Sequence, residues 1–296
     1  MGRELATAFP AARAAFDEVD AALGMPISRL CFEGPDDELT QTHNAQPALL
    51  AHGAAVWAVL GDRLAPHVRA AAGHSLGEFT AHHAAGTFTL ADAARIVRRR
   101  GELMYRSGAE RPGAMAALLG DLSESVEEIC ARASLEGGIV VPANFNAPGQ
   151  VVISGDVTAV DLALVLARAA GAKRAIRLNV SGAFHSPLMQ PVASLLAQAL
   201  ETTPAADPRF PIFANVDASP STDAAATRAM LVRQLTSPVR WTAVVAGLVE
   251  RHPAALYVEM GPGSVLRGLV RKIAPDVEVV SCGTPDDVTT LSERLA

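Results

Sequence analysis

The chain has 296 residues, of which 50% are hydrophobic and 19% are charged, and its formal net charge is −6. This composition suffices for a large buried core, and the acidic balance argues against a general nucleic-acid binder. No apolar run reaches the roughly eighteen residues of a membrane span, and no signal peptide is recognisable. The three widely separated cysteines form neither a disulfide framework nor a metal spacing, which favours the cytoplasm.

The N-terminal third is predicted to be largely helical. Apolar side chains recur at helical spacing from Leu5 to Leu23 within the first thirty residues, and Gly24 is expected to end that helix. A second, buried helix is predicted for PALLAHGAAVWAVLGDRL. The short apolar run HVRAAAGHS then leads into the helix LGEFTAHHAAG, and Thr89 can cap a helix in TLADAARIVRRRGELMYRS.

The middle of the chain changes in composition and predicts an inserted unit. Strands are predicted for GAMAALLG, GIVVPANFN, GQVVISG and KRAIRLNV, and helices for LSESVEEICARAS and DVTAVDLALVLARAAG. Their order, βαββαβ, is that of a ferredoxin-like unit. We therefore expect an α/β fold in which residues 112–178 form a small subdomain within a larger domain of residues 1–111 and 179–296.

The last third returns to alternating α/β signals. Helices are predicted for SPLMQPVASLLAQALE, AATRAMLVRQL and SVLRGLVRKI, and strands for PIFANV and ALYVEMG.

Ser75 lies between Gly73 and Gly77, in the pattern Gly-x-Ser-x-Gly between an apolar strand and a helix. This pattern is typical of a nucleophile elbow, in which the next amide, that of Leu76, can stabilise an oxyanion. The glycines are expected because a Cβ at either position would collide with neighbouring backbone. A helix-capping serine between two turn glycines explains the same five residues, so both interpretations stay open.

A nucleophilic serine needs a base, and eight histidines are available. His74 is next to the serine and should point away from it, whereas His82 and His83 fit surface or packing positions on a helix. His185, in VSGAFHSPLM, lies between a predicted strand and a helix, where function collects in α/β domains. It is one of several candidates on these grounds.

An ordered series of motifs covers essentially the whole chain. It comprises TQTHNAQPALL, GHSLGEF, RRRGELM, GAMAALLG, NFNAPGQVVISG, GAKRA, VSGAFHSPLM, VRQLTSPVRW and EMGPGSVLRGLV. The series resembles the malonyl-CoA:acyl-carrier-protein transacylases of fatty acid synthesis and the acyltransferase domains of polyketide synthases. This resemblance implies an α/β-hydrolase-like large domain with an inserted ferredoxin-like domain.

The resemblance also implies roles for individual residues. The catalytic pair is expected at Ser75 and His185, and the arginine that holds the malonyl carboxylate at Arg100. The segment at Gln234 is expected to orient the histidine through a backbone carbonyl, and Gln46 to lie beside the pocket.

Two neighbouring features bear on specificity. Phe184 precedes the histidine, as in malonyl-selecting relatives, where a ring crowds out an α-methyl group. The remaining arginines of RIVRRRGE, namely Arg95, Arg98 and Arg99, are expected to be solvated or to contribute to carrier-protein docking.

The implied activity is a ping-pong transfer of malonyl from malonyl-CoA, through a malonyl-serine, to the phosphopantetheine thiol of acyl carrier protein. It implies no metal or redox cofactor, and a cytoplasmic, monomeric enzyme. Arg267, Arg271 and Lys272 could form a docking face for the acidic carrier, although ordinary surface charge is the better explanation of them.

Alternatives to this activity are a free-standing polyketide-type acyltransferase, a serine hydrolase, and a truncated, weakly active carrier-protein-binding homologue. The last arises because related chains open with an apolar strand and a Gly-Gln-Gly-Ser-Gln loop, whereas this chain starts at MGRELATAFP. That loop would supply a second oxyanion donor. A start codon assigned too late or a true truncation would each explain the difference.

Overall fold

The computed structural model describes residues 1–180 and 182–295, which form an α/β fold with three sheets. The helices are α1 (Arg3–Ala8), α2 (Pro10–Leu23), α3 (Ile27–Glu33), α4 (Asp36–Leu39), α5 (Thr42–Leu64), α6 (Gly77–Ala84), α7 (Leu90–Glu110), α8 (Val126–Gly137), α9 (Val157–Ala169), α10 (Gln190–Thr202), α11 (Ala224–Gln234), α12 (Trp241–Arg251), α13 (Val265–Ile273) and α14 (Pro285–Arg294). The strands are β1 (Ala71–Ala72), β2 (Gly113–Leu119), β3 (Val140–Ala147), β4 (Gln150–Asp156), β5 (Arg174–Arg177), β6 (Ile212–Phe213), β7 (Pro220–Ser221), β8 (Tyr257–Met260) and β9 (Val279–Cys282).

The first segment is two helices, where the spacing of apolar residues predicted one. Phe9 leaves the helical conformation, and Pro10 begins α2. Proline lacks an amide hydrogen and is best tolerated in a first helical turn, so the break falls there. Gly24 does end α2, in the left-handed conformation with φ of 61°.

A small sheet brings two loops to one edge. Strand β1 pairs in parallel with β6, with Ala71 opposite Ile212, and β6 pairs antiparallel with β7. Because the carboxyl ends of parallel strands meet at one edge, the loops that follow β1 and β6 lie side by side. They carry Ser75 and Asn215, respectively.

The middle of the chain forms a four-stranded antiparallel sheet in the order β3-β4-β2-β5. Helices α8 and α9 pack on it around their own apolar core, which includes Ile129, Ile153 and Val160. The strands and helices predicted for this region are confirmed. Beyond the sheet, β3 also bonds to the segment before α12: the Phe145 amide donates to the Val239 carbonyl at 2.9 Å.

The third sheet is a parallel pair, β8 and β9, with Tyr257 opposite Val279. Helix α13 connects the two strands, which is the usual crossover between parallel neighbours. Strand β8 and helix α13 were predicted from the sequence, whereas strand β9 was not. Elsewhere in the chain, helices α3, α4, α12 and α14 were also not predicted.

Helices α5 and α7 pack closely and carry pocket residues. Pro47 lies inside α5 and cannot donate to the His43 carbonyl, which Arg98 bonds instead at 3.0 Å. Arg98 therefore has a structural role in the helix pair. On the same helix, a Cβ at Gly101 would lie 2.7 Å from the His43 Cα, so glycine permits this close approach.

In the part of the chain that the structure describes, no helix combines the length and apolarity needed to span a bilayer.

Candidate active site

The loop between β1 and α6 is a tight turn with Ser75 at its tip. Ser75 has a φ of 51°, in the left-handed region that a residue with a side chain rarely adopts. A Cβ on Gly73 would lie 1.9 Å from the Gly77 carbonyl carbon, so only glycine fits there. At Gly77 itself the expected collision is wrong, because an added Cβ would meet no atom within 4 Å. Of the two glycines, only Gly73 is required by the close approach of the backbone.

Asn215 holds this strained turn from the neighbouring loop. Its Oδ1 accepts a hydrogen bond from the Ser75 amide at 2.6 Å, and its Nδ2 donates to the Gly73 carbonyl at 2.7 Å. The side chain is fully buried, so both backbone groups depend on it for their partners. Asn215 thus bridges the two sides of the serine turn.

Ser75 and His185 form a hydrogen-bonded pair. The serine Oγ lies 2.8 Å from His185 Nε2, and His185 Nδ1 lies 2.8 Å from the Gln234 carbonyl oxygen. Because a carbonyl only accepts, Nδ1 must carry the proton, which leaves the Nε2 lone pair for the serine hydroxyl. Burial, together with the nearby Arg100 charge, lowers the pKa of His185 to about 3. The imidazole is therefore neutral at physiological pH and able to accept the serine proton.

The carbonyl that orients His185 belongs to the last residue of α11. Carbonyls in the final turn of a helix have no partner within the helix, and they form the negative end of its dipole. The Gln234 carbonyl can therefore fix the imidazole tautomer and stabilise the positive charge that the ring gains on taking a proton. Like Ser75, His185 has a left-handed φ, of 57°.

Arg100 extends from α7 into the same site and is almost completely buried. Its Nη1 donates to Gln46 Oε1 at 2.7 Å, and its Nη2 donates to Gln234 Oε1 at 2.9 Å and to Ser75 Oγ at 3.0 Å. Burial lowers the pKa of Arg100 to about 10, so the guanidinium is still charged at neutral pH. It lies over the Phe79 ring, 5.5 Å from the centroid.

The acceptors around Arg100 are all neutral oxygens. No carboxylate of the described residues forms an ion pair with it, and its Nε–H is buried without an acceptor there. A buried cation with a free donor is costly unless an anion joins it. The geometry therefore favours an anionic group in the space beside Ser75.

That space is a cavity of about 300 Å³. Of the residues named from the sequence, its walls include Gln46, Ser75, Leu76, Arg100, Phe184 and His185. Met104 and Met115 add apolar surface to the walls. Gln234 lies behind the wall, in contact with Ser75 and Arg100. Among the described residues, no group of three or more His, Cys, Asp or Glu side chains is placed to hold a metal ion.

Comparison with known proteins agrees with this geometry. The family model for the acyl transferase domain matches residues 1–295. The malonyl CoA-acyl carrier protein transacylase of Bacillus subtilis is 42% identical over 296 residues, which span 100% of this chain and 92% of the relative. The chain belongs to the acyl transferase domain family.

Solved structures of similar proteins share the fold of this acyl transferase. The acyl-carrier-protein-S-malonyltransferase of Bartonella henselae superposes with a TM-score of 0.94 at 42% identity, covering 100% of this chain and 94% of that one. A malonyl-transacylase in complex with its type II PKS acyl-carrier protein has a TM-score of 0.94 at 40% identity, covering 99% of this chain and 94% of that one.

Three polar residues of the acyl transferase site were not singled out from the sequence. Asn215 bridges the serine turn, Glu78 is buried beneath it, and Asn146 Oδ1 accepts a hydrogen bond from His74 Nε2 at 2.7 Å. Their sequence signal was position: Glu78 lies within the GHSLGEF motif, and Asn146 and Asn215 lie near the ends of the predicted strands GIVVPANFN and PIFANV. His74, as expected, points away from the Ser75 hydroxyl.

Proposed function

We propose that this acyl transferase moves a malonyl group from malonyl-CoA to the phosphopantetheine thiol of an acyl carrier protein, through a malonyl ester on Ser75. The observation that carries the proposal is the position of the serine Oγ, which lies 2.8 Å from His185 Nε2 and 3.0 Å from Arg100 Nη2. One neighbour can take the hydroxyl proton, and the other can hold an acyl group that bears a carboxylate. The names of the similar proteins agree with this substrate.

In the first half-reaction, His185 removes the Ser75 proton as the Oγ attacks the thioester carbonyl. The thioester carbonyl oxygen becomes an oxyanion, which the Leu76 amide faces from the start of α6. A preorganised donor of this kind is typically worth ~3 kcal/mol of barrier. The tetrahedral intermediate collapses by breaking the carbon–sulfur bond, and the CoA thiolate takes the proton from His185.

In the second half-reaction, the carrier-protein thiol enters in place of CoA. His185 removes the thiol proton, the sulfur attacks the ester carbonyl, and Ser75 leaves with the proton returned to its Oγ. The imidazolium that forms transiently in each half-reaction is stabilised by the Gln234 carbonyl. These steps use protein groups, malonyl-CoA and the carrier thiol alone.

Arg100 supplies the preference for an acyl group with a terminal carboxylate. Each charge-assisted hydrogen bond from the guanidinium is worth about 1.5–3 kcal/mol. Gln46 and Gln234 hold the guanidinium from two sides, which limits its freedom before the substrate arrives. The Phe184 ring, on the cavity wall, limits the space for an α-methyl group.

We further propose that residues 112–178 are a ferredoxin-like subdomain inserted in an α/β-hydrolase-like domain of residues 1–111 and 179–296. The βαββαβ order and the sheet order β3-β4-β2-β5 support the first part, and the serine turn between β1 and α6 supports the second. The three cysteines are unpaired thiols, which fits a reducing cytoplasm.

The proposal is tested by intact-mass measurement after mixing the enzyme with malonyl-, methylmalonyl- or acetyl-CoA. Malonyl should add to Ser75, and methylmalonyl should add more slowly. Arg100→Ala should slow malonyl loading by roughly 10- to 100-fold, since 1.4 kcal/mol is a factor of ten, and should affect acetyl loading far less. Arg99→Ala, an exposed neighbour on the same helix, is the matched control. Equal losses for both acyl groups would contradict the carboxylate-binding role of Arg100. A Ser75 that stays unmodified would contradict the proposed transfer.

A further inference from the structure

Glu78 is a buried carboxylate to which the proposed transfer assigns no step. It is the second residue of α6, only 1% exposed, and lies beneath the serine turn. Its Oε2 accepts hydrogen bonds from the Asn215 amide at 3.1 Å and from Gln234 Nε2 at 2.7 Å. A buried carboxylate normally needs a cation close by, so its environment calls for an explanation.

The nearest cation is Arg100, and the two are joined through one amide. Arg100 Nη2 donates to Gln234 Oε1 at 2.9 Å, while Nε2 of the same amide donates to Glu78. The carboxylate therefore balances the guanidinium charge without occupying its donors. Arg100 keeps its free Nε–H and its position beside the Ser75 hydroxyl.

We propose that Glu78 is the counter-charge of Arg100 in the empty site, and that it takes up a proton when a malonyl carboxylate binds Arg100. This inference rests on the proposed function. The empty site holds one buried positive and one buried negative charge, and a malonyl carboxylate would leave a net negative charge there. Such a charge is strongly disfavoured in a buried site. Protonation of the carboxylate from solvent restores neutrality, and no other bond has to form or break.

Glu78 is the group in this cluster suited to that change. The charges that act on it from neighbouring elements are Arg100 on α7, which favours its ionised form, and Asp217 after β6, which opposes it. Burial outweighs the hydrogen bonds from Gln234 and Asn215 and the charge of Arg100, and it raises the pKa of Glu78 to about 7. A second anion close to Arg100 raises this pKa further.

The other candidates for the proton do not titrate in the same range. Burial lowers the pKa values of His52 on α5, His74 in the serine turn, and His185, so these rings are neutral near pH 7. The malonyl carboxylate itself bonds directly to a guanidinium, which keeps it ionised. The proton therefore goes to Glu78.

The sign of the pH effect follows from these directions. Below about pH 7 Glu78 is protonated with or without malonyl, and malonyl loading is at its most favourable. As the pH rises above the pKa of the empty site, loading requires proton uptake and becomes up to about tenfold less favourable per pH unit. Acetyl loading brings no second anion, so it requires no proton uptake and does not become less favourable in this way as the pH rises.

The direct test measures protons during a single turnover of the wild-type enzyme. Malonyl-CoA is mixed with excess enzyme in weakly buffered solution at pH 7.5 with a pH-indicator dye, and Ser75 loading is read by intact mass. The thioester exchange itself releases no net proton, because the serine proton ends on the CoA thiol. We expect uptake of roughly half a proton per malonyl-serine formed, and none with acetyl-CoA.

Two variants assign the uptake to its residue. Glu78→Gln keeps an oxygen that can accept from Gln234 and Asn215 but removes the charge, so it should load malonyl with no proton uptake. Its malonyl-to-acetyl loading ratio should no longer fall between pH 7 and 8.5. Glu110→Gln removes the same charge from an exposed position on α7 and should behave as wild type.

The outcomes separate this inference from the proposed function. Malonyl on Ser75 with the same proton balance as acetyl in the wild type would overturn the role of Glu78 and leave the transferase intact. Undiminished uptake in Glu78→Gln would also overturn it. No malonyl on Ser75 would contradict the proposed function, and with it the premise used here. If Glu78→Gln fails to fold, the wild-type measurement still decides.

Discussion

Gly73→Ala should inactivate the enzyme by opening the serine turn. The added Cβ would lie 1.9 Å from the Gly77 carbonyl carbon and 2.4 Å from the Glu78 amide nitrogen. Both are backbone atoms, so no side chain can move aside to relieve the clash. Carbon atoms in contact sit about 3.5–4.0 Å apart, so the turn must widen by more than about 1 Å. The Ser75 Oγ, now 2.8 Å from His185 Nε2, would move out of hydrogen-bonding range. A misplacement of this size typically costs ~100-fold in rate.

The assay compares malonyl loading rates and thermal unfolding of Gly73→Ala with those of Gly268→Ala. Gly268 lies in α13, and a Cβ there would meet no atom within 4 Å. This control should load malonyl normally and gain up to about 1 kcal/mol of stability, because alanine favours the helix interior. Overpacking in Gly73→Ala should cost about 1–3 kcal/mol or more. Loading within threefold of wild type in Gly73→Ala would refute the geometry of the turn.

Two further predictions concern Asn215 and His185. Asn215→Ala leaves the buried Ser75 amide and Gly73 carbonyl without partners, at about 1–3 kcal/mol each. Urea unfolding should therefore show a free energy of unfolding lower by roughly 2–6 kcal/mol, and acetyl loading should slow at least about tenfold. Unchanged stability would contradict the bridging role. Because burial lowers the pKa of His185 to about 3, its neutral form persists as the pH falls, and acetyl loading should stay level from pH 8 down to 5. A decline in the acetyl loading rate centred near pH 6.5 would show that His185 has the pKa of an ordinary histidine. The same lowered pKa makes folding less favourable as the pH falls below about 6.5, where the unfolded histidine takes up a proton.

Much of the fold could be predicted from local sequence patterns. The four-stranded sheet is built with helices that have clear apolar faces; Thr89 caps α7, as predicted, and Ser125 caps α8. Helix α12 was not predicted, since its sequence WTAVVAGLVER mixes β-branched residues that suit a strand equally well. Helix α14 is short and polar on its outer face, and only its capping box, Thr284 with Asp287, marks its start.

Sequence motifs predicted some residues of the site and missed others. Ser75, Arg100 and His185 sit in distinctive local sequences, although Arg100 and His185 lie 25 and 110 positions from the serine. Asn215 has no such signal, and Glu78 lies in GHSLGEF without its role being evident there, because the importance of both comes from burial and from partners 137 or more positions away. Gly77 was misjudged for a related reason: which of two turn glycines is crowded depends on where the helix turns, and the pattern does not encode that direction.

The bond between β3 and the segment at Val239 limits how this enzyme can be recombined with its relatives. Asn144, one residue from that bond, lines the cavity, so one wall of the pocket belongs to the four-stranded sheet. A chimaera that exchanges residues 112–178 alone would bring a foreign pocket wall and break the match with Val239 and Thr242, whose hydroxyl donates to the Phe145 carbonyl at 3.0 Å. Parent chains should therefore be joined so that residues 139–147 and 234–242 come from the same parent.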